Sequence, residues 1–397
     1  MAYDSIRSGV MTSINAVAAN QVPDIDAMLF LLEPHQTPLS QWLHFNNLAP
    51  AEKVINQNGY FQWFEDELVP VTDTLSGTGL TGGASSEDNI GLTDGTMFAA
   101  DDILLVEATE QMIYVDSVAS SEVDVTHIDG STNITAATTG TIRKIGSYNN
   151  EYDTARTAIS TKEIEKNNYC TIFSETVTTS GRYQAGEKYT GGKSHKDQVK
   201  KKTLEMKLQY EDNFLFSTAS GTNTVTTNYR MTYGIGFLGR VTTYAVSHSG
   251  TLGEEDLDDY LRQVFQQGSG TKMHLGGGYH IVALNKIVKD RYQVVPKPVT
   301  EIYGVNLTEY ITPFGTLQIM WHPRMTGKFG YYGFTVDREY VKLRYMADDD
   351  TGSRKFRIEE NVQTPGTDGK SSKLLADQGI AIHNEEVHGI LYKAGAS

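Results

Sequence analysis

One segment constrains this chain more than any other. Ser194 to Ser217 reads as a single long helix, opened by a capping box of Ser194 and Asp197. At helical spacing Val199, Met206, Tyr210 and Phe214 gather on one face, and Leu204, Leu208 and Leu215 form a second stripe well away from it. A surface helix needs one apolar stripe, so two stripes predict burial from two sides. The charges run against the helix dipole. Lys196, Lys200, Lys201 and Lys202 lie in the N-terminal half and Glu211 and Asp212 near the C-terminus, with Asp197 the exception. Lys201–Glu205 and Lys207–Glu211 also run in the weaker i,i+4 order. Each mismatch is small enough for packing to override. The lysines are therefore expected to meet partners beyond the helix; a solvated basic face is the alternative.

The chain around this helix divides by texture. Residues 1–58 look like an arm, with apolar patches at Met28–Leu32 and Trp42–Phe45 separated by helix-breaking stretches such as Glu33 to Pro38. Such a segment has no core of its own and must lie across its own body or a neighbour. Tyr60 to Val69 reads as an aromatic-rich strand. Thr72 to Gly95 is rich in Gly, Ser and Thr, has no basic residue, and reads as a long flexible loop, a feature that usually has a task. Residues 97–146 carry short β-type runs at Ile103–Glu107, Met112–Val118, Glu122–Ile128 and Thr141–Ile145, which predict a small barrel or sandwich. Cys170 to Ser180 is strand-like and Gly181 to Gly192 loop-like. Beyond Gly234 the pattern turns α/β-like. An acidic helix spans Leu252 to Gln267, with Leu257, Leu261 and Phe265 at helical spacing. Tyr279–Leu284 reads as a buried strand, Asn285 to Val294 as a helix, and Leu317–His322 and Val341–Tyr345 as strands. The tail from Leu375 to Leu391 mixes strand-like runs. No repeat of solenoid period is visible.

Composition narrows the classes. A chain of 397 residues with 39% apolar and 21% charged residues can bury a large core and is not disordered. A single cysteine, Cys170, excludes an intrachain disulfide and fits a reducing compartment. The first ten residues hold no signal-peptide stretch, and no apolar run approaches membrane-spanning length. The net charge of −15 argues against unaided wrapping of nucleic acid, though not against enclosing it.

The motifs that could carry chemistry are weak. Gly186 to Ser194 nearly matches a phosphate-binding loop, but Glu187 stands where a glycine is required, and a glutamate repels phosphate. Glu65 and Glu67 share one side of a strand and could pair as glycosidase carboxylates; acidic residues at the end of an exposed strand are the plainer reading. Asp348, Asp349 and Asp350 lack the further ligand spacing of a calcium loop. His274 and His280 are six apart, with no Cys/His cluster nearby. Cys170, in a Thr-rich strand, reads as a buried structural thiol. Catalytic, cofactor and metal sites are each expected to be absent.

The order of elements nevertheless resembles a family. Thr37-Pro38-Leu39, Phe61 to Asp66, Asn168 to Gly181 followed by the Lys-rich helix ending Asn213 to Phe216, and Gly379 to Gly389 together resemble the major capsid proteins of tailed bacteriophages, with the Hong Kong 97-type fold, and more narrowly a podophage-associated subfamily. The resemblance implies an α+β fold. Residues 1–58 would be the N-terminal arm, 59–96 an extended loop reaching a neighbour, 97–146 an inserted β subdomain, 147–225 the peripheral domain with its spine helix at 194–217, 226–346 the axial domain, and 347–397 the return to the peripheral domain. Copies would form hexamers and pentamers that close an icosahedral shell around double-stranded DNA. Portal, scaffolding and decoration proteins would be further partners, and synthesis would take place in the host cytoplasm. Trp63, Glu65, Asp66, Lys200, Lys201 and Lys202 are the expected inter-subunit residues. Another virion component of tail or adhesin type, or a β-rich glycoside hydrolase, are the alternatives.

Overall fold

The computed structural model describes residues 37–45, 51–76, 80, 87–119, 121–137, 139–148, 151, 158–186, 194–226, 229–291, 308–350 and 352–395. In chain order the helices and strands are α1 (Pro38–Phe45), β1 (Glu52–Val54), β2 (Tyr60–Glu65), β3 (Thr72–Thr74), β4 (Glu87–Gly91), β5 (Asp102–Val106), β6 (Gln111–Ala119), β7 (Glu122–His127) and β8 (Thr141–Ser147). Then follow β9 (Ile164–Tyr169), β10 (Thr171–Ser180), α2 (Gly181–Ala185), α3 (Ser194–Phe216), β11 (Gly221–Thr226), β12 (Tyr229–Tyr233), α4 (Phe237–Arg240), β13 (Ala245–His248), α5 (Glu254–Val264) and β14 (Thr271–Gly276). The chain ends with α6 (Gly278–Arg291), β15 (Thr308–Ile311), β16 (Thr316–Trp321), β17 (Tyr332–Val336), β18 (Val341–Met346), β19 (Arg357–Glu360), β20 (Gly369–Ile382) and β21 (Gly389–Lys393). Two compact units result: Trp63–Lys166, and Met1–Gln62 together with Asn167–Ser397.

The smaller unit is a six-stranded antiparallel sheet in the order β3-β8-β5-β6-β7-β4. Its edges meet: Ser76 N–H donates to Gly91 O (3.0 Å) and Thr93 N–H to Thr74 O (3.1 Å), so the sheet closes into a barrel and leaves no free edge here. Alternation builds the interior. Ile113 and Val115 of β6, and Val123 and Val125 of β7, point inward while their neighbours face water. Leu75, Leu80, Ile90 and Leu92 complete this core. That corrects the loop reading of Thr72 to Gly95. Each turn of this stretch offers one apolar residue on a polar background, which hides the strands, yet each of the four is buried. Residues 77–79 and 81–86 of that stretch lie outside the described residues.

The larger unit holds two main sheets. In the first, β1-β18-β20-β10, the long β20 also pairs with β19. Its ten-residue antiparallel ladder with β10 runs from Thr171 opposite Gln378 to Ser180 opposite Gly369. Helix α3 lies on this sheet: Met206, Tyr210 and Phe214 are buried, and the Phe173 and Tyr210 rings meet edge-on at 4.7 Å. Each such side chain contributes roughly 1.5–3 kcal/mol by burial. The second sheet, β13-β21-β17-β14-β16-β15, is mixed. The parallel β14–β16 pair needs a crossover, and α6 lies within it. This corrects the reading of Tyr279–Leu284 as a strand. The aromatic and β-branched letters suit a strand, but His280 and Leu284 are buried four apart while Tyr279 and Val282 face outward, which is helical periodicity. Gly333 of β17 is required where it stands: a Cβ there would lie 2.4 Å from His280 Nε2.

Other expectations resolve as follows. The acidic helix spans Glu254–Val264, with Leu257 and Leu261 buried. Gly181 to Gly192, read as a loop, begins with α2, capped by Ser180 Oγ accepting from Tyr183 N–H. Residues 187–193, and with them most of the near phosphate-loop motif, lie outside the described residues, as do residues 1–36 of the arm and the Ser194 side chain of the expected capping box.

Candidate assembly surfaces

All six residues expected to face a neighbour lie among the described residues. Trp63 is 6% exposed, and its Nε1–H donates to Glu65 Oε1 at 2.6 Å, so the indole is turned inward and occupied. The side chain presented outward between them is Phe64, 59% exposed, with Leu68 nearby at 93%. Asp66 is exposed and accepts from Glu67 N–H. Lys202 is bound within its own chain, to Glu205 at 2.5 Å and to Glu175 of β10 at 3.5 Å. Those carboxylates hold its ammonium pKa above the ordinary value. Lys201 is half-buried and Lys200 exposed. The structure therefore separates the group: Lys200 on the outer face of α3 and Lys202 against β10.

The second apolar stripe of α3 is covered only at one end. Leu215 is fully buried, Leu208 is half-buried, and Leu204 is 36% exposed. Leu204 lies one turn from Lys200 and from Leu208, and Lys207 is exposed beside them. The result is a leucine stripe flanked by lysines, open in the single chain.

Glu211 is the residue sequence reading missed. By charge order alone it reads as a mismatch near the helix C-terminus, paired with Lys207 in the weaker i,i+4 order. In the structure its side chain is fully buried and gathers the N-terminus of α1. Leu39 N–H donates to Oε1 (2.9 Å), and Ser40 N–H to Oε2 (2.6 Å), the same oxygen that accepts from Ser40 Oγ. His322, also fully buried, donates from Nε2 to Oε1 at 2.7 Å. A carboxylate on free N–H groups at a helix start satisfies both hydrogen bonding and the dipole. Next to it, Arg324 grips Asp212 through Nε and an Nη2 contact. Leu39, Trp42 and Leu43 of α1 then enter the same core as Phe173 and Phe214. The described part of the arm thus lies across its own body. The only sequence signal was an acidic residue beside the buried stripe, at the edge of Met206, Tyr210 and Phe214.

The remaining chemical candidates are occupied by structural roles. Asp348 pairs with Lys53 (2.6 Å), and Asp349 with Arg354 (3.2 Å) and Arg357 (2.5 Å). His274 Nε2 and His280 Nε2 lie 3.0 Å apart in a buried chain that continues from His274 Nδ1 to Thr335 Oγ1 (2.9 Å) and on to Tyr260 Oη (2.5 Å). Burial pushes the His274 pKa down to about 4 and that of His280 well below the usual range. Lys272, fully buried, donates from Nζ to the carbonyls of Val264, Gln267 and Val387, tying the end of α5 to the turn before β21. Burial lowers its pKa to about 8 despite Asp337 nearby. Cys170 is buried, and its thiol pKa is raised by that burial. Among the described residues no group of three or more metal-ligating side chains occurs, and no helix is long and apolar enough to cross a membrane.

Among the described residues the buried polar groups Glu211, Lys272 and His322 join distant segments, and the leucine stripe of α3 is an open surface feature. The family model described as "SU10 major capsid protein" matches residues 8–395, and the chain belongs to that family: it is a bacteriophage major capsid protein, a component of the virion shell. A search of curated proteins found no match. Among solved structures, the chain is similar to the SrpI encapsulin of Synechococcus elongatus (14% identity, 58% of this chain and 77% of that one, TM-score 0.45). It is also similar to a capsid chain of a native GTA particle (9% identity, 98% and 100%, TM-score 0.49) and to a chain of Mycobacterium phage Patience (11%, 63% and 78%, TM-score 0.41). At that overlap the assignment is carried by the family match.

Proposed function

We propose that copies of this chain assemble into hexamers and pentamers that close an icosahedral shell around double-stranded DNA, with no catalytic step of its own. In this reading the chain has the Hong Kong 97-type fold. Residues 1–58 form the arm, 59–96 the extended loop, 147–225 the peripheral domain with α3 as spine, 226–346 the axial domain and 347–397 the return. The inserted β subdomain, read at 97–146 from the sequence, shares β3 and β4 with the 59–96 segment, whose own extended part is then the strand around β2. Synthesis takes place in the host cytoplasm, and portal, scaffolding or decoration proteins are further partners.

The observation that carries self-assembly beyond the family match is the open stripe on α3. Leu204 and Leu208, flanked by Lys200, Lys201 and Lys207, form an apolar seam with a basic border on a chain whose net charge is −15. An acidic copy of the same chain supplies the complementary charge, and burial of the leucines supplies the affinity. Asp66, Phe64 and Leu68 form a second contact; Trp63 and Glu65 act by shaping the strand that presents them. Negative-stain microscopy of the expressed chain tests this. Shells or capsomers are expected; fibres or soluble trimers would favour a tail or adhesin component instead.

A further inference from the structure

Helices α5 and α6 share one face of the second sheet. Leu257, Tyr260, Leu261 and Val264 of α5 and Leu284 of α6 enter one core with Leu317 and Leu391 of the strands. The faces the two helices leave outside differ in character. On α5, Glu255, Asp258, Asp259 and Arg262 recur at helical spacing opposite the buried side, and all four are exposed. Asp259 reaches Arg262 at 3.5 Å; among the described residues Glu255 and Asp258 make no ion pair. On α6 the outward residues are Tyr279, Val282, Asn285 and Lys286. Tyr279 stacks on Tyr331 of the short helical turn Gly327–Tyr331, with ring centroids 4.6 Å apart and 12° between planes. Gly330 makes room for this pair, since a Cβ there would lie 2.9 Å from Tyr279 Cδ2. Trp321, at the end of β16, holds its Nε1 3.8 Å from the Cβ position of Gly278. Tyr279, Val282 and Trp321 are each more than half exposed. Lys393 Nζ lies 5.3 Å from the Tyr331 ring centre. Lys286 and Lys328 are exposed on α6 and the helical turn, and among the described residues neither makes an ion pair.

Rings held in place before contact lose little entropy on binding, and Trp and Tyr carry much of the energy at protein interfaces. Lysines at the border select an acidic partner and oppose a basic one. We infer that the aromatic, lysine-bordered patch of α6, Trp321 and the Gly327–Tyr331 turn is a docking surface for the acidic face of α5 on a second copy of the chain. In that contact the carboxylates of Asp258 and Asp259 face Lys286 and Lys328, and the Trp321 N–H and Tyr279 O–H are further donors. The two surfaces are unlike, so the contact repeats head to tail, the arrangement that closes rings. The inference rests on the proposal that copies form hexamers and pentamers, and it names one contact within them, separate from the leucine stripe of α3. Aromatic rings among lysines also suit stacked bases, but α5 would then have no part, and the experiment separates the two.

Charge reversal tests this. Lys286→Glu with Lys328→Glu sets acid against acid, and Asp258→Lys with Asp259→Lys sets lysine against lysine. All four residues are exposed, so each double variant should stay folded, as circular dichroism would check. Each should raise the protein concentration at which particles form by about tenfold or more. The chain carrying all four substitutions again joins opposite charges and should assemble near the unsubstituted level. Undiminished assembly of either double variant would overturn the inference. So would a four-substitution chain as defective as the Lys286→Glu, Lys328→Glu variant, the result expected if nucleic acid occupies the patch. If a reversed variant does not fold, Trp321→Ala gives the readout instead: a similar rise supports the contact, and no change overturns it. Failure of the unsubstituted chain to form particles would count against the shell reading, which is a distinguishable outcome.

Discussion

The barrel and the larger unit are stabilised in opposite ways. The barrel core is almost wholly apolar, with buried Asp102, reached by the half-buried Lys144, and buried Asp73 as the charged groups at its edge. Its polar residues sit outside, and all its strands come from one continuous stretch of chain, with β5–β6 and β6–β7 joined as sequence neighbours and β3–β8, β8–β5 and β7–β4 joined across it. The larger unit buries Glu211, His274, His280, Lys272, His322, Asp337, Asp377 and His388, and it uses several of them to join segments more than a hundred residues apart. Asn168 shows the same strategy: its side chain bridges Ile235 and Ile380 through two donated and one accepted backbone hydrogen bond. Apolar packing specifies a local fold cheaply. Buried polar links cost desolvation, but they penalise any wrong pairing of distant segments, and an assembling subunit needs its arm and sheets in one arrangement.

Acid should separate the two regions most strongly. Burial lowers the pKa of His274 to about 4 and of His388 to about 3, against the ordinary 6.5. A histidine whose folded pKa is depressed is held neutral in the native state, so the unfolded chain binds more protons below pH 6.5. Stability from these groups is complete above that pH and is lost as pH falls toward 4. His274 alone then loses about 3 kcal/mol, at roughly 1.4 kcal/mol per pH unit. The barrel, whose shifted carboxyls Asp124 and Asp129 have lowered values, keeps its stability until the pH falls below their ordinary 3.8. Hydrogen exchange followed from pH 7 to 4.5 should show the larger unit losing protection while the barrel holds; equal loss in both would erase the contrast.

Next in size is Glu211→Ala. It strands His322 and the α1 amide groups in the interior, and breaking a buried pair costs about 3–5 kcal/mol. Limited proteolysis should cut near α1 in this variant while barrel peptides stay protected. In the other direction, Leu104→Ala opens a cavity in the barrel, at about 2–5 kcal/mol, and should lower the barrel transition in calorimetry without exposing α1. If either variant destabilised both regions alike, the two would be one cooperative structure.

The same contrast explains what was legible. The barrel strands β5 to β8 were visible because alternation and turn residues mark them, and α3 because its length and stripes leave no other reading. β4 was not visible, since Glu-Asp-Asn-Ile-Gly offers a single inward residue, Ile90, and only its pairing with β7 makes it a strand. The second half of α6 was legible as a helix from Asn285; its first turns were hidden because Tyr279-His280-Ile281-Val282 has strand letters. Deleting Leu75–Asp94, attractive while the segment reads as a loop, would remove β4 and four core residues, and so would test barrel folding before it tested assembly. Of the interface residues, Lys200 stands on an open face, while Trp63 and Lys202 are engaged inside the chain. Sequence can place a charge on a helix; it cannot say whether the partner is Glu175 of the same chain or a neighbour.

The double variant Lys200→Glu, Leu204→Asp tests the central claim that copies bind through the open stripe of α3. Lys200 is exposed and Leu204 is partly covered within its own chain, so the monomer should lose about 1–2 kcal/mol, short of unfolding. Sedimentation velocity on matched preparations should show shells or capsomers for the unsubstituted chain and folded monomers for the variant, with the melting temperature lowered only modestly. Particles in undiminished yield from the variant would contradict the account.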